Sequence, residues 1–168
     1  IVVLLNQNLG GAVIINGKVH TGLGMHSGSI EHMCIQADGP LCYCGEHGCL
    51  ETYCSADSLE RAAQTDIPSF FRELRPWKFR VCRHMGGLSG PPAFALCNLN
   101  VILDCRIIIS GYLAPYITGE DVVQLTKRIQ DSSPYSLPDD FIFLSTHGQL
   151  APPVGAALSY IDQFLQTI

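Results

Sequence analysis

Cys42-Tyr-Cys-Gly-Glu-His-Gly-Cys-Leu-Glu51 is the stretch that decides how the rest of the chain is read. It places three thiols, at 42, 44 and 49, around two glycines, Gly45 and Gly48, and His32 stands ten residues before Cys42. Zinc takes four tetrahedral ligands, most often thiolate sulfur and imidazole nitrogen. His32, Cys42, Cys44 and Cys49 make such a set, closed and without a vacancy for water. Gly45 and Gly48 suit the tight turns that would wrap three cysteines around one ion. The alternative is a loop of unbound thiols. His47 and Cys54 are competing ligands, with His47 expected to face solvent from inside the turn. The chain has eight cysteines. An even count suits disulfides, but the tight cluster and the lack of a secretory signal favour a cytosolic metal site. Cys34, Cys82, Cys97 and Cys105 lie in apolar surroundings and are expected to be buried small hydrophobes.

Outward from this cluster the pattern is α/β. Ile1–Leu5 and Ala12–Ile15 read as strands from their β-branched runs. Asn16-Gly17 is a two-residue hairpin signal that returns the chain through Lys18–His20. Thr21–Ser29 is a glycine-rich loop, and the metal cluster occupies Ile30–Cys54. Helices are expected over Ser58–Gln64, with a start at Ser55-Ala-Asp57, and over Pro68–Phe79, with Pro76 as breaker. Val81–Pro92 reads as loop. Ala93–Leu103 is apolar at helical spacing, with a buried strand as the alternative. Cys105–Ser110 and Phe141–Ser145 read as strands. Gly119–Gln130 is an amphipathic helix with Lys127 and Arg128 near its C-terminus, most simply a solvated end. Asp131–Asp140 is a polar loop. Pro152–Ile168 is a last helix that opens on prolines.

Composition limits the function classes. Ten lysines and arginines against fifteen acids give a net charge of −5, which argues against this segment gripping a nucleic-acid backbone by itself. Charged residues are 15%, below the roughly 25% of an ordinary soluble domain, while hydrophobic residues reach 47%, enough for a core and for a face that docks elsewhere. The long uncharged run from Gly86 to Leu103 is interrupted by glycines, prolines and asparagines, so no membrane span is expected. The chain opens on Ile-Val-Val-Leu-Leu without a basic flank or an initiator Met. The expectation is a cytoplasmic protein of which this is the C-terminal piece.

The cluster matches, without a gap, the Cys-x-Cys-Gly-x-x-Gly-Cys-x-Glu signature of the ROK family, named for repressors, open reading frames and kinases. Gly10-Gly-Ala-Val-Ile-Ile-Asn-Gly-Lys18 resembles that family's hairpin, and Val154-Gly-Ala-Ala-Leu158 its closing helix start. The resemblance implies a ribonuclease-H-like lobe of the actin-like ATPase (sugar kinase) fold with a zinc-binding insert over about 30–54. Residues 1–168 would be one C-terminal lobe. The N-terminal lobe and any DNA-binding winged helix would precede it. The resemblance also implies zinc on His32, Cys42, Cys44 and Cys49, and sugar contacts from His32 and Glu51. Metal on one imidazole nitrogen fixes the tautomer and orientation of the other, so His32 can serve both. Taken alone, Glu51 also reads as a carboxylate favouring a helix start.

The departures from the family carry information. Kinases of the family have Gly-Thr-Gly-Ile-Gly-Gly-Gly at the phosphate loop; here the residues are Asn6, Gln7, Asn8, Leu9, Gly10, Gly11 and Ala12. A phosphate cradle needs close backbone approach and free N–H groups, which side chains obstruct. The adenosine-side glycines are replaced by Ile109-Ser110-Gly111-Tyr112. Before the zinc loop, Ser29 stands where the family has a sugar-binding glutamate and Glu31 where it has a glycine, so Glu31 is a candidate to replace the lost carboxylate. The family's catalytic aspartate belongs to the first lobe, so no catalytic residue is assigned here.

Three readings follow. The first is the effector-sensing and oligomerising domain of a ROK transcriptional regulator. It would bind a sugar or sugar-phosphate, assemble as a homodimer or higher oligomer, and reach DNA only through a preceding winged helix; it would not be an enzyme. The second is half of a ROK sugar kinase phosphorylating a hexose with ATP. The third is a zinc-stiffened interaction module without sugar binding. The first is favoured, because both nucleotide elements are degraded. No role is assigned to His20, His26, His84 or His147. Trp77, Phe70, Phe71 and Phe79 read as core or lobe-contact packing, with a sugar-stacking platform as the alternative.

Overall fold

The computed structural model describes residues 1–73 and 90–165. Five strands form one sheet in the order β3-β2-β1-β4-β5: β1 Val2–Leu5, β2 Leu9–Ile15, β3 Lys18–His20, β4 Ile107–Ser110 and β5 Ile142–Leu144. β1, β2 and β3 pair antiparallel, while β4 lies parallel to β1 and β5 parallel to β4. Parallel pairing needs long crossovers, and these carry the helices. β1 is central and pairs on both edges, with β2 and β4; Ile1 and Val3 are buried on one face, and Val2 and Leu4 are half-buried on the other. The Asn16-Gly17 turn has positive φ at both residues (52° and 75°) and sets Ile15 opposite Lys18, the hairpin expected from that dipeptide.

The main correction concerns β2. It begins at Leu9, three residues before the expected Ala12, and Leu9, Gly10 and Gly11 pair with Leu5, Leu4 and Val3. The turn between β1 and β2 is therefore confined to Asn6, Gln7 and Asn8. Glycines at 10 and 11 made this stretch resemble a loop, but the ladder with β1 holds them in a strand.

The helices are α1 Glu51–Cys54, α2 Ala56–Ala63, α3 Ile67–Glu73, α4 Pro91–Leu103, α5 Gly119–Ser132 and α6 Ala151–Leu165. α1, which begins at Glu51 where the sequence offered a helix-start carboxylate, turns the chain out of the metal loop. Ser55 caps α2 by accepting from the Ser58 N–H at 3.1 Å, so the helix starts within the expected Ser55-Ala-Asp57 and takes in Ala56 and Asp57 ahead of Ser58. The expected helix over Pro68–Phe79 is observed to residue 73; Pro76, Trp77 and Phe79 lie outside the described residues, as do Cys82 and His84. Pro91 and Pro92 open α4 rather than ending a loop, because proline's missing N–H is harmless in a first turn. Thr118 and Asp121 form a capping box on α5. That helix runs to Ser132, which leaves Lys127 and Arg128 a turn short of its end, Lys127 exposed and Arg128 half-buried.

α4 and α5 cover one face of the sheet, and Leu96, Ile107, Ile109, Ile129 and Phe141 form the core between them. A smaller cluster joins α2 and α3 to the end of β4 through Leu59, Ile67, Phe70, Phe71 and Leu113. Phe70 and Phe71 are thus core, and Phe71 stacks on Tyr116 with ring centroids 4.7 Å apart. Each such side chain contributes about 1.5–3 kcal/mol on burial. Cys97 is buried in the larger cluster and Cys105 is half-buried beside it. Cys34 is exposed, against expectation: it alternates with half-buried Met33 and Ile35 along the metal loop and points outward. Among the described residues no helix is long and apolar enough to cross a membrane.

Candidate metal centre and adjoining cavity

The loop that carries the thiols is fastened by backbone pairing at both ends. Ile35 N–H donates to the Gly48 carbonyl, Leu50 N–H to Met33 and Glu51 N–H to Glu31, each at 2.9 Å. This ladder brings the His32 segment alongside Cys49. At the tip, Cys42 N–H donates to Glu46 at 2.8 Å and Gly45 N–H to Cys42 at 3.0 Å. Gly48 has φ +71°, and a Cβ there would lie 1.6 Å from the Gln36 carbonyl oxygen. Only glycine fits that crossing.

His32, Cys42, Cys44 and Cys49 present four ligand atoms that all lie within 4.8 Å of one another. Cys42 Sγ is 3.7 Å from His32 Nδ1, and Cys44 Sγ is 3.7 Å from Cys49 Sγ. A disulfide is excluded at that separation, since its sulfurs bond at about 2.05 Å. Tetrahedral Zn–S bonds of about 2.3 Å set neighbouring sulfurs about 3.8 Å apart, so the donor set fits such an ion. Burial, then the Cys44 and Cys42 thiols, push the Cys49 thiol up to about 12. Cys44, at the exposed rim, is held below the ordinary thiol range mainly by the Glu46 backbone. Bringing thiolates together here is unfavourable without a cation, and a divalent ion reverses that preference. The competing ligands stay outside the cluster. His47 is exposed, with Nδ1 2.9 Å from the Gly39 carbonyl oxygen, and Cys54 lies on α1.

Beside the cluster lies a polar cavity of about 330 Å³. Glu51 sits on its wall, 3% exposed. Its Oε2 accepts from the Leu9 N–H at 2.7 Å and its Oε1 from Asn8 Nδ2 at 2.9 Å. Gln7 and Asn8 also line the cavity, as do Leu41, Tyr43 and Asp57, which pairs with Arg61. Tyr43 packs its ring edge-on to His32, and burial, with the Glu51 and Glu31 carboxylates next, raises its phenol above the ordinary value. Sequence reasoning missed Tyr43; its signal was its place between two ligand cysteines.

The remaining sugar candidates, His32, Glu31 and Ser29, are not among the residues that line this cavity. Ser29 is exposed in a turn, its N–H donating to the His26 carbonyl at 3.1 Å, and it does not line the cavity. Glu31 is half-buried, and its Oε2 is buried without a hydrogen-bond partner among the described residues. The β1–β2 turn is tied to two other segments of the chain, while Gln7 and Asn8 stay exposed on the cavity side. Asn6 Oδ1 accepts from the Tyr112 N–H at 2.9 Å, just after β4. The Asn6 and Gln7 carbonyls accept from the Ala56 and Asp57 N–H groups at the start of α2. Gly111 has φ +98°, and a Cβ there would lie 2.6 Å from Asn6 Oδ1. The aligned loop and the end of β4 thus face each other and are tied together by Asn6.

Known proteins resemble the chain in sequence and in fold. The xylose repressor of Bacillus subtilis (strain 168) is 40% identical, over all of this chain and 45% of the repressor. The N-acetylmannosamine kinase of Vibrio cholerae is 28% identical over 121 residues, 65% of this chain and 40% of the kinase. The ROK hexokinase from Thermus thermophilus superposes with a TM-score of 0.75 at 23% identity, covering 96% of this chain and 57% of that one. The fold is therefore that of the actin-like ATPases. The chain spans less than half the length of the curated relatives it matches. The ROK family profile matches residues 1–85, half of the chain, and the chain belongs to the ROK family.

Proposed function

We propose that residues 1–168 are the effector-sensing and oligomerising lobe of a ROK transcriptional regulator rather than part of a sugar kinase. The observation that carries this reading is the engagement of Asn6 and Asn8. Both stand where kinases of the family have glycine, and both engage their side chains within the chain, half-buried Asn6 on the Tyr112 N–H and exposed Asn8 on Glu51. A nucleotide phosphate would need that space and those N–H groups. The 40% identity to a xylose repressor along the whole chain also supports a regulator, while the N-acetylmannosamine kinases keep the kinase reading as the alternative.

In this reading zinc is held by His32, Cys42, Cys44 and Cys49. It serves as a brace: four protein ligands leave no open position for chemistry. Glu51 on the cavity wall would meet sugar hydroxyls, with His32 and Glu31 next to its lining through Tyr43 and Glu51, while Ser29 lies outside it. Carboxylates are acceptor-only when ionised and suit such donors. Sugar binding would shift the populations of lobe or oligomer arrangements and so alter the grip of a preceding winged helix on DNA. Such a protein works in the cytoplasm.

The test is an ATP-dependent phosphorylation assay on the full-length protein with glucose, xylose and N-acetylmannosamine, run beside calorimetry with the same sugars. Saturable sugar binding without phosphate transfer is expected. Transfer above the uncatalysed background would overturn the regulator reading in favour of the kinase. Neither binding nor transfer would leave the zinc-stiffened interaction module.

A further inference from the structure

The cavity beside the metal cluster has a lining of two kinds. Glu51, Asn8 and Gln7 bring polar groups to it. Leu41 and Tyr43, from the metal loop, bring apolar surface and are 64% and 66% exposed. Tyr43 sits between Cys42 and Cys44, so its backbone is fixed on both sides once those ligands are engaged. Its side chain touches His32 only edge-on, at 5.1 Å and 74°. A large aromatic ring, anchored at its base and exposed on a cavity wall, offers contact area with little conformational entropy to lose on binding. Charge on the cavity narrows the ligand further. Among the described lining residues the acids are Glu51 and Asp57, and the single cation, Arg61, is paired with Asp57.

We propose that Tyr43 is a specificity-determining wall of this cavity, stacking on the apolar C–H face of a neutral ring-form sugar whose hydroxyls reach Glu51. This rests on the sensing reading above and deepens it in two respects. It assigns a role to a residue that the metal signature leaves free to vary in type. It also selects an unphosphorylated sugar, since a phosphate would meet Glu51 with no unpaired cation to receive it. A sugar is amphipathic in the same sense as the cavity, with C–H groups on its ring faces and hydroxyls at its edge. A cavity of about 330 Å³ lies at the small end of ligand sites, which span about 300–1,000 Å³.

The test is calorimetry on the full-length, zinc-loaded protein with D-xylose, D-glucose and D-glucose 6-phosphate, comparing wild type with Tyr43→Phe, Tyr43→Leu and Tyr43→Ala. Zinc content is measured on each sample, because a merely structural residue would act through loss of metal. Tyr43→Phe should keep affinity within about threefold, while Tyr43→Leu and Tyr43→Ala should each weaken it roughly tenfold or more at unchanged zinc. Wild-type affinity retained in Tyr43→Leu, or weakening that tracks zinc loss, overturns the role of Tyr43 and leaves the sensing reading standing. Tighter binding of glucose 6-phosphate than of glucose overturns the neutral-ligand class. A wild-type protein that binds none of the three overturns the sensing reading, and the role of Tyr43 with it.

Discussion

Asn8 Nδ2 donates to Glu51 Oε1 at 2.9 Å, joining the β1–β2 turn to the first residue of α1 across 43 positions of sequence. The Leu9 N–H donates to the other oxygen of the same carboxylate at 2.7 Å. Glu51 is therefore both a wall of the cavity and the bolt that holds the turn, and whatever engages its oxygens also acts on Asn8.

Replacing that carboxylate separates its two tasks. Glu51→Ala leaves the buried Leu9 N–H without an acceptor and should destabilise the protein by about 2–3 kcal/mol. Glu51→Gln should cost only about 1 kcal/mol, because the Asn8 amide can turn to present its oxygen to the new NH₂ group. Urea denaturation of both variants checks this. Equal losses in the two would show that the paired acceptor geometry is unimportant.

The loop that carries the thiols depends on Gly48. Its φ of +71° and the nearness of the Gln36 carbonyl leave no room for a methyl group. Gly48→Ala should destabilise by about 3 kcal/mol or more, and metal capture should fall with it. Gly45 also has positive φ but nothing within 4 Å of a built Cβ, so Gly45→Ala should be the milder change. Thermal melts of the two variants side by side would reveal the ranking, and the reverse order would refute it.

Asp66 supplies an acid-sensitive contact far from the metal. Its Oδ1 accepts from the Ser69 N–H at 2.7 Å at the start of α3. That backbone N–H first, and the Ser69 hydroxyl next, hold its carboxyl below the ordinary value of 3.8. A folded value below the unfolded one gives stability that is present above the unfolded value and lost as pH falls through the folded one. Asp66→Asn should remove this contribution. The variant should lose less of its urea midpoint than wild type between about pH 5 and pH 3. An unchanged acid limb would show that the contact contributes nothing.

Much of the site was legible because its signal is local. Four ligand-type residues within one short segment, punctuated by Gly45 and Gly48, describe a metal loop without reference to the rest of the chain. Asn16-Gly17 describes its hairpin equally well. The misreadings came where distant partners decide. Gly10 and Gly11 look like loop residues, but pairing with Leu4 and Val3 makes them strand. α1 is four residues long, too short to show helical periodicity. Cys34 has apolar neighbours, and alternation along the metal loop turns it outward. The partners of Asn6 and Asn8 lie 106 and 43 residues away, so the sequence revealed the lost glycines and not the bonds that replace them.

A single metal ion clasped by His32, Cys42, Cys44 and Cys49 would underlie the loop and the cavity beside it, and elemental analysis of gently purified, reduced protein would detect that ion. The prediction is about one zinc per chain, lost in Cys49→Ala and His32→Ala, with a melting temperature that falls on chelation and returns when zinc is restored. Reduced protein that folds with no bound metal, and melts at the same temperature with or without chelator and zinc, would contradict it.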